Sequence, residues 1–299
     1  MNKQALRADI LLLLTACIWG FAFTAQRSGM DYMGPFSYNG LRFLLGSLSL
    51  IPLTLLRLRG AAHSGTRPRR FFAFSALAGT CLFLAATLQQ IGIMYTTAGN
   101  SGFITGLYVV LTPLFGIFLG RKTGVPTWVG AALTFTGLFF LGAASPAAEG
   151  LSFNRGDIIT AVSAIFWTAH VLIIDALVKR IDPVLLSAGQ FFCCGFFSLV
   201  IALFRESITL EACVAGIIPL LYGGLCSVGV AYTLQVVAQK YAPPAHATIL
   251  LSLEGVFAAL GGILLLSEPL GRWTLLGFGL MFSGMLATQW DVIRGGKKK

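Results

Sequence analysis

The chain has 299 residues, of which 56% are hydrophobic and only 11% are charged, and its net charge is +10. About a quarter of the residues in a soluble globular protein are charged, so the composition excludes that class and indicates a polytopic membrane protein. The basic residues stand in short clusters between apolar runs, which is typical of loops beside a membrane and argues against nucleic acid as a partner.

Ten apolar segments follow one another along the chain, and each is about as long as a helix that crosses a bilayer. They are predicted at residues 9–28, 35–56, 71–92, 98–119, 124–144, 157–177, 183–204, 213–238, 245–266 and 272–291 and are called spans 1 to 10. The predicted fold class is all-α, a polytopic membrane protein with ten transmembrane helices. The six cysteines show no C-x-x-C spacing, so no zinc site is indicated, and no cofactor is expected.

The distribution of lysine and arginine predicts the orientation. With both termini in the cytoplasm, sixteen of the 21 basic residues lie inside, five of them in the segment Arg57–Arg70. Arg42 lies within span 2, and four arginines stand at outside ends: Arg27, Arg155, Arg205 and Arg272. The positive-inside rule therefore predicts an inner (plasma) membrane protein with cytoplasmic N- and C-termini.

The two halves of the chain repeat each other. Trp19 recurs as Trp167, and Asp9 recurs as Asp157, both at an offset of 148 residues. Further pairs are Gln89 with Gln235 and Tyr95 with Tyr241 at 146, and Gly130 with Gly277 and Gly137 with Gly284 at 147. Because each half holds an odd number of spans, the second half enters the membrane from the opposite side. The prediction is two inverted five-helix repeats, residues 1–147 and 148–299, an arrangement typical of secondary transporters with a binding site near the midplane.

Span 9 carries a carboxylate, Glu254, near the middle of its apolar run. Inserting a charged side chain at the centre of a membrane helix costs about 2.5–3.5 kcal/mol on insertion scales. Some interaction or function of Glu254 must therefore offset this cost. Loss of hydration favours the protonated form of such a group, so Glu254 is the candidate proton-coupling residue. The alternative is a structural carboxyl that is hydrogen-bonded to a neighbouring helix. Two registers of the repeat remain open, one setting Tyr108 opposite Glu254 and one setting Thr112 there.

The candidate substrate-binding residues are polar or aromatic side chains at or near membrane depth. An aromatic wall with few polar groups suits an amphiphilic organic substrate. The alternatives are tryptophans that only pack between helices and amides that only bond neighbouring helices. Arg42 either pairs with an anionic substrate group or extends to the outer interface. The candidates are Trp19, Arg42, Gln89, Asn100, Tyr108, Trp167, His170, Gln190, Tyr232, Gln235 and His246.

Two structural features are also predicted. Asp175 and Lys179, four residues apart at the end of span 6, are expected to form an ordinary helix-end pair. The glycines spaced by seven residues in spans 5 and 10 permit close helix approach.

The motifs of ATP use and of common hydrolases are missing from the sequence. It contains no G-x4-G-K-[ST] phosphate loop, no H-E-x-x-H and no G-x-S-x-G. ATP is therefore not the expected direct energy source, and the protein is not expected to be an enzyme.

Several short motifs follow one another along the chain: Ile18-Trp19-Gly20, Leu41-Arg42-Phe43-Leu44, the segment Tyr95 to Asn100, and Leu253-Glu254-Gly255-Val256-Phe257. In this order they resemble the ten-helix drug/metabolite transporter superfamily of the EamA type. The resemblance implies a carrier of small organic molecules, with the fifth and tenth helices peripheral and the others around a central cavity. The family commonly has proline after the carboxylate of span 9, where this chain has Gly255.

The residues and the resemblance together predict a secondary active transporter that works by alternating access. The predicted activity is export of a small metabolite, such as an amino acid or another amphiphilic compound, in exchange for protons. The alternatives are an importer or facilitator, and a membrane-embedded enzyme or lipid flippase. The expected partners are a small-molecule substrate and the lipid bilayer, and a homodimer is one option for the assembly.

Overall fold

The computed structural model describes residues 3–60, 68–96, 98–142, 155–266 and 272–295, which form fifteen α-helices and one π-helix with no β-strand among them. In chain order the α-helices are α1 (Lys3–Gly29), α2 (Pro35–Ser49), α3 (Ile51–Gly60), α4 (Pro68–Gly92), α5 (Ala98–Thr105), α6 (Tyr108–Phe118), α7 (Val125–Gly142), α8 (Arg155–Leu177), α9 (Pro183–Arg205), α10 (Leu210–Ala215), α11 (Ile217–Leu221), α12 (Thr233–Gln239), α13 (Pro244–Leu251), α14 (Glu254–Leu266) and α15 (Arg272–Gly295). The π-helix, Tyr222–Tyr232, joins α11 to α12.

Each predicted span corresponds to one or more of these helices. Within the described ranges, seven stretches are long and apolar enough to cross a membrane, and a bent helix pair makes an eighth. Two shorter apolar helices, Val125–Phe140 and Leu275–Ala287, lie in spans 5 and 10. The all-α membrane fold is therefore confirmed, and its elements follow the predicted order.

Span 2 is a bent pair of helices. α2 ends at Ser49, α3 begins at Ile51, and the two helices differ in direction by 43°. Pro52 has no N–H to donate to the carbonyl four residues earlier, and its ring crowds that carbonyl. The span predicted at 35–56 is interrupted for this reason.

Span 8 contains the π-helix, whose glycines lie close to α2. A Cβ atom placed on Gly224 would lie 2.6 Å from the side chain of Leu45, and one placed on Gly223 would lie 2.6 Å from the Tyr38 hydroxyl. Such contact requires residues without a side chain. π-Helical segments are rare and often stand at functional sites, and this one borders the central cavity.

Spans 4 and 9 are interrupted at equivalent places. The bounds of α5, and the first residue of α6, lie 146 residues before the bounds of α13 and the first residue of α14. At each interruption a backbone N–H bonds the carbonyl three residues earlier instead of four. Leu107 N donates to Ile104 O, and the equivalent Leu253 N donates to Leu250 O. This agreement selects the register that sets Tyr108 opposite Glu254.

Helices α7 and α15 pack along each other through the glycines that recur at an offset of 147. A Cβ atom on Gly137 would lie 2.8 Å from the carbonyl oxygen of Gly277, and one on Gly284 would lie 2.7 Å from that of Gly130. The two contacts are equivalent, as expected across a pseudo-two-fold axis. The predicted close approach of spans 5 and 10 is present.

Helix α1 approaches the broken span 9 closely. A Cβ atom on Gly20 would lie 2.7 Å from the carbonyl oxygen of Glu254. The carboxyl-bearing end of α14 is thus held against the middle of α1, next to Trp19. This contact fixes the position of Glu254 relative to the aromatic residues of the site.

Candidate functional site

A narrow cavity lies among the middle turns of spans 1, 3, 4, 6, 8 and 9. Its volume is about 30 Å³, room for about one or two water molecules, whereas sites for organic ligands usually measure about 300–1,000 Å³. An organic substrate therefore fits only after the surrounding helices separate. The described residues that line it are Trp19, Phe23, Gln26, Gln89, Thr105, Tyr108, Trp167, Val171, Ser227, Tyr232, Gln235, Leu251 and Glu254.

The cavity wall repeats across the two halves of the chain. Ten of these thirteen lining residues form five pairs related by an offset of 146 or 148. The pseudo-two-fold axis therefore passes through the cavity, which is where secondary transporters with inverted repeats bind substrate. The pairs are Trp19 with Trp167, Phe23 with Val171, Gln89 with Gln235, Thr105 with Leu251, and Tyr108 with Glu254.

The last of these pairs is in direct contact. The Tyr108 hydroxyl donates a hydrogen bond of 2.8 Å to Oε1 of Glu254. Two residues at equivalent positions can touch only if both lie close to the axis that relates the repeats. Each is also the first residue of its helix, α6 or α14, so the positive ends of two helix dipoles point to the centre of the protein. Glu254 is 4% exposed, and the contact holds its carboxyl at the repeat interface.

Tyr232 is the centre of an aromatic cluster. Its ring centroid lies 4.4 Å from that of Trp19 and 5.9 Å from that of Trp167, on which it stacks. Phe43 and Phe191 contact the same ring at 5.8 and 5.9 Å. The structure therefore brings the two equivalent tryptophans to one cavity, with Tyr232 between them.

The two tryptophans differ in their polar contacts. Nε1 of Trp19 donates to the carbonyl oxygen of Ser227, in the π-helix, at 3.3 Å. Nε1 of Trp167 is buried and has no hydrogen-bond partner among the described residues. Buried N–H groups usually have a partner, so this unpaired donor is an exception that distinguishes the second indole from the first.

The amides of the cavity wall are only partly satisfied. Nε2 of Gln89 donates to Oγ1 of Thr105 at 2.8 Å, and Nε2 of Gln235 donates to Oε1 of Gln239 at 2.9 Å. The Oε1 atoms of Gln26 and Gln235 are buried without a partner in the described part of the chain. The wall thus presents acceptors as well as the Trp167 donor.

Four candidate residues lie away from the central cavity. Nε2 of His170 and Oε1 of Gln190 are 2.8 Å apart, beside Trp167. Arg42 is 1% exposed, so it does not extend to the outer interface, and it lies against Phe43. His246 lines a second cavity. The side chain of Asn100 lies outside the described residues.

The second cavity opens at the end of the bundle where α1 begins. Its volume is about 540 Å³, and Thr112, Arg121, Lys122 and His246 are among the residues that line it. At its edge, Nε2 of His246 lies 2.8 Å from Oδ1 of Asp9. No group of three or more His, Cys, Asp or Glu side chains in the described ranges is placed to hold a metal ion.

Asp175 stands at the same end and joins the two halves of the chain. Its Oδ2 lies 3.4 Å from Nζ of Lys179, so the predicted helix-end pair is present. The shorter contact, 2.8 Å, is with Nη1 of Arg121 between spans 4 and 5. The sequence pattern alone did not predict this second partner.

Polar contacts join spans 2, 7 and 8 at the opposite end of the bundle. Glu206, which follows α9, accepts hydrogen bonds from the backbone N and from Oγ of Ser37 at 2.7 and 2.6 Å. The Tyr38 hydroxyl donates to the carbonyl oxygen of Pro219 at 3.0 Å. These bonds tie the start of span 2 to spans 7 and 8.

The equivalent acids Asp9 and Asp157 form contacts at opposite ends of the bundle. Asp9 contacts His246 near the start of span 9, whereas Asp157 accepts a 2.6 Å hydrogen bond from Oγ1 of Thr96, before span 4. Each acid thus links the first helix of one repeat to the fourth span of the other. This pairing agrees with the inverted relation of the halves.

Sequence reasoning missed six residues of the cavity wall. Four of them lie one helical turn from a candidate that was named, Phe23 and Val171 beyond the tryptophans and Thr105 and Leu251 before Tyr108 and Glu254. Extending the repeat pairs by one turn would have found these four. The other two, Gln26 and Ser227, have no equivalent in the wall and left no such signal.

Known proteins resemble the chain over nearly its whole length. The profile of the EamA-like transporter family matches residues 6–143 and again residues 154–289. A protein of Archaeoglobus fulgidus named as an uncharacterized transporter is 34% identical over 268 residues, which cover 89% of this chain and 80% of the relative. The Escherichia coli (strain K12) uncharacterized inner membrane transporter YedA is 27% identical over 282 residues, covering 91% and 87%. A crystal structure at 17% identity matches with a TM-score of 0.79 over 96% of this chain and 98% of the other, which shows a shared fold.

Proposed function

The chain belongs to the EamA-like transporter family, and from this membership we propose that it is a secondary active exporter of a small amphiphilic metabolite, driven by exchange for protons. The substrate passes through the inner membrane by alternating access between the repeats, residues 1–147 and 148–299. It is carried without chemical change, so the protein is not an enzyme.

The observation that carries the proposal is the hydrogen bond between Tyr108 and Glu254. A proton-coupled exporter needs an ionisable group that each side of the membrane can reach in turn. A group on the axis that relates the repeats meets this need, because inverting the repeats exchanges the two access paths and leaves the axis in place. Glu254 is the acidic residue among the described residues of the cavity wall.

The chemistry of the wall supports an amphiphilic substrate. Trp19, Trp167 and Tyr232 present large aromatic surfaces, which bind apolar and aromatic groups. The unpaired N–H of Trp167 and the unpaired amide oxygen of Gln235 provide single polar contacts. A molecule with one apolar body and a few polar groups matches this combination.

The two cavities support an order of events. The wide cavity stands at the end where α1 begins, and the opposite end is closed by the contacts of Glu206 and Tyr38. With cytoplasmic termini, this arrangement corresponds to the state that loads substrate from the cytoplasm. Release then requires the end near Glu206 to open.

The orientation gives a direct prediction. In a cysteine-free background, Ser207→Cys on intact cells is expected to react with a membrane-impermeant maleimide, whereas Lys122→Cys is expected to react only after the membrane is opened. Both positions are exposed, at opposite ends of the bundle. The reverse labelling pattern would overturn the cytoplasmic placement of the termini and the loading side with it.

The aromatic wall gives a second prediction. Trp19→Ala and Trp167→Ala are each expected to weaken substrate binding by about tenfold or more, because each removes a ring of the cavity. A screen of metabolites by ligand-induced thermal stabilisation identifies the ligand, since binding to the folded state raises the melting temperature. Titration of the variants with that ligand then measures the loss.

Trp128→Ala and Trp273→Ala are the controls for this experiment. Trp273 stacks on Phe140 with centroids 5.3 Å apart, and Trp128 lies in α7; neither lines the cavity. Equal losses of affinity in all four variants would reduce the tryptophans of the cavity to packing residues.

A further inference from the structure

Arg42 is a permanent positive charge enclosed in the protein. It is 1% exposed, and its Nε donates at 2.9 Å to Oδ1 of Asn39, whose Nδ2 in turn donates to the carbonyl oxygen of Ala86 at 3.1 Å. Its guanidinium lies 4.9 Å from the ring centroid of Phe43 and 5.4 Å from that of Tyr38. Arginine does not lose its proton in proteins, so the site always holds the charge.

No acid balances this charge in the described part of the chain. Arg42 takes part in none of the ion pairs there, and its buried Nη2 has no hydrogen-bond partner. Glu206 faces the start of the same helix, but its oxygens accept from Phe36 and Ser37. Aromatic faces stabilise a cation only partly, and an unpaired buried charge is strongly unfavourable. The site is therefore one that an anion would stabilise.

The position of Arg42 places it beside the transport path. The Phe43 ring, against which the guanidinium lies, contacts Tyr232, and Tyr232 lines the central cavity. Arg42 is on the side of this aromatic layer that faces the closed end, where Tyr38 bonds Pro219. Separation of span 2 from spans 7 and 8 at that end would open the guanidinium to the path.

The central cavity independently offers a hydrogen-bond donor to a ligand. Trp19 already donates to Ser227, whereas its equivalent Trp167 has a buried N–H that faces no acceptor among the described residues. A buried donor without a partner is unfavourable. A ligand atom that accepts at Trp167 removes this penalty.

We infer that the transported molecule carries an anionic group, of the carboxylate class, and that Arg42 binds this group when the end near Glu206 opens. The inference rests on the proposed function, since it names the charge of the same substrate. Trp167 donates to the ligand in the central cavity, and the guanidinium then receives the anion nearer the exit. A bidentate guanidinium–carboxylate contact satisfies the free Nη2.

The test compares matched acids and amides. Purified protein in lipid nanodiscs is titrated with indole-3-acetate and indole-3-acetamide, and with phenylacetate and phenylacetamide, which differ in charge and little in shape. The wild type is expected to bind each acid about tenfold or more tightly than its amide. Arg42→Gln is expected to remove this preference by lowering the affinity for each acid to about that for its amide.

The matched control is Arg155→Gln. Arg155 also lies over a tyrosine ring, at 5.4 Å from Tyr95, but it is exposed at the start of α8. This variant is expected to keep the preference for acids. Should Arg42→Gln fail to fold, Arg42→Lys keeps the charge without the planar fork, and it is expected to retain a preference that is several-fold smaller.

Four results would overturn the inference. Equal binding of acids and amides by the wild type, or an unchanged preference in Arg42→Gln, would remove the anion site and leave the proposed export of amphiphiles standing. Stabilisation of the wild type by chloride alone, lost in Arg42→Gln, with no preference for organic acids, would make Arg42 a site for an inorganic ion. Failure of every acid and amide to bind, while a ligand found in the metabolite screen does bind, would overturn this inference and leave the proposed function standing; failure of the screen to find any ligand as well would count against both.

Discussion

Glu254→Gln is expected to abolish proton-driven export while the protein remains folded. Glutamine keeps the size of the side chain and an oxygen that can accept the bond from Tyr108, so the 2.8 Å contact at the axis can persist. It cannot load or release a proton. In proteoliposomes with an imposed pH gradient, accumulation of substrate is expected to fall to the level of protein-free vesicles.

An exchange assay, which needs no net proton movement, distinguishes a loss of proton coupling from a loss of substrate binding. In the Glu254→Gln variant, labelled substrate is expected to exchange against unlabelled substrate across the vesicle membrane at a rate near that of the wild type. Loss of exchange as well would indicate that the carboxylate itself holds a cationic substrate group. Tyr108→Phe, which removes the hydrogen bond but leaves the carboxyl, is expected to retain accumulation. Wild-type accumulation by Glu254→Gln, with unchanged pH dependence, would reduce Glu254 to a structural role.

Gly284→Leu and Gly137→Leu are each expected to prevent recovery of folded protein. A Cβ atom at either position would lie 2.7–2.8 Å from a backbone carbonyl of the facing helix, and backbone cannot move aside as a flexible side chain can. Overpacking of this kind costs about 1–3 kcal/mol and more where helix axes must separate. The readout is the monodisperse fraction after solubilisation and the melting temperature of that fraction.

Gly279→Leu is the matched control, because it lies on the same helix as Gly284 and a Cβ atom there would meet nothing within 4 Å. It is expected to behave as the wild type. The two damaging variants are expected to have similar effects, since their contacts are equivalent across the repeats. A tolerated Gly284→Leu would contradict the tight packing of α7 on α15.

The spans were predictable because hydropathy is read directly from the sequence. The repeat was predictable because equivalent residues of the two halves are separated by a nearly constant number of residues. The repeat equivalent of Glu254 was narrowed to two residues, Tyr108 and Thr112, one helical turn apart. Choosing between them required the helix interruptions, which depend on a few local hydrogen bonds that hydropathy does not report. The interruption of span 9 falls next to Gly255, whereas Pro113 of span 4 lies inside α6 rather than at the break before that helix.

Side-chain direction was the part that the sequence could not supply. Arg42 lies seven residues into span 2, and from that position its side chain could extend outward or turn inward. It turns inward, where its Nε bonds Asn39 and its Cδ packs beside Gly223. His170 and Gln190 were each plausible cavity residues, but they lie on helix faces that meet each other. Such pairings follow from the rotation of helices in the bundle, which periodicity in an almost wholly apolar helix does not report.

The contact between Tyr108 and Glu254 also bears on how such a protein could evolve. Two identical five-helix subunits related by a two-fold axis would place the same residue on the axis twice. Two glutamates there would set two carboxylates against each other, stable only while they share a proton. Two tyrosines would leave no group that titrates near neutral pH. Only with two distinct halves can one position hold tyrosine and the other glutamate, so divergence of the repeats is what allows a centre with a single acid on the axis.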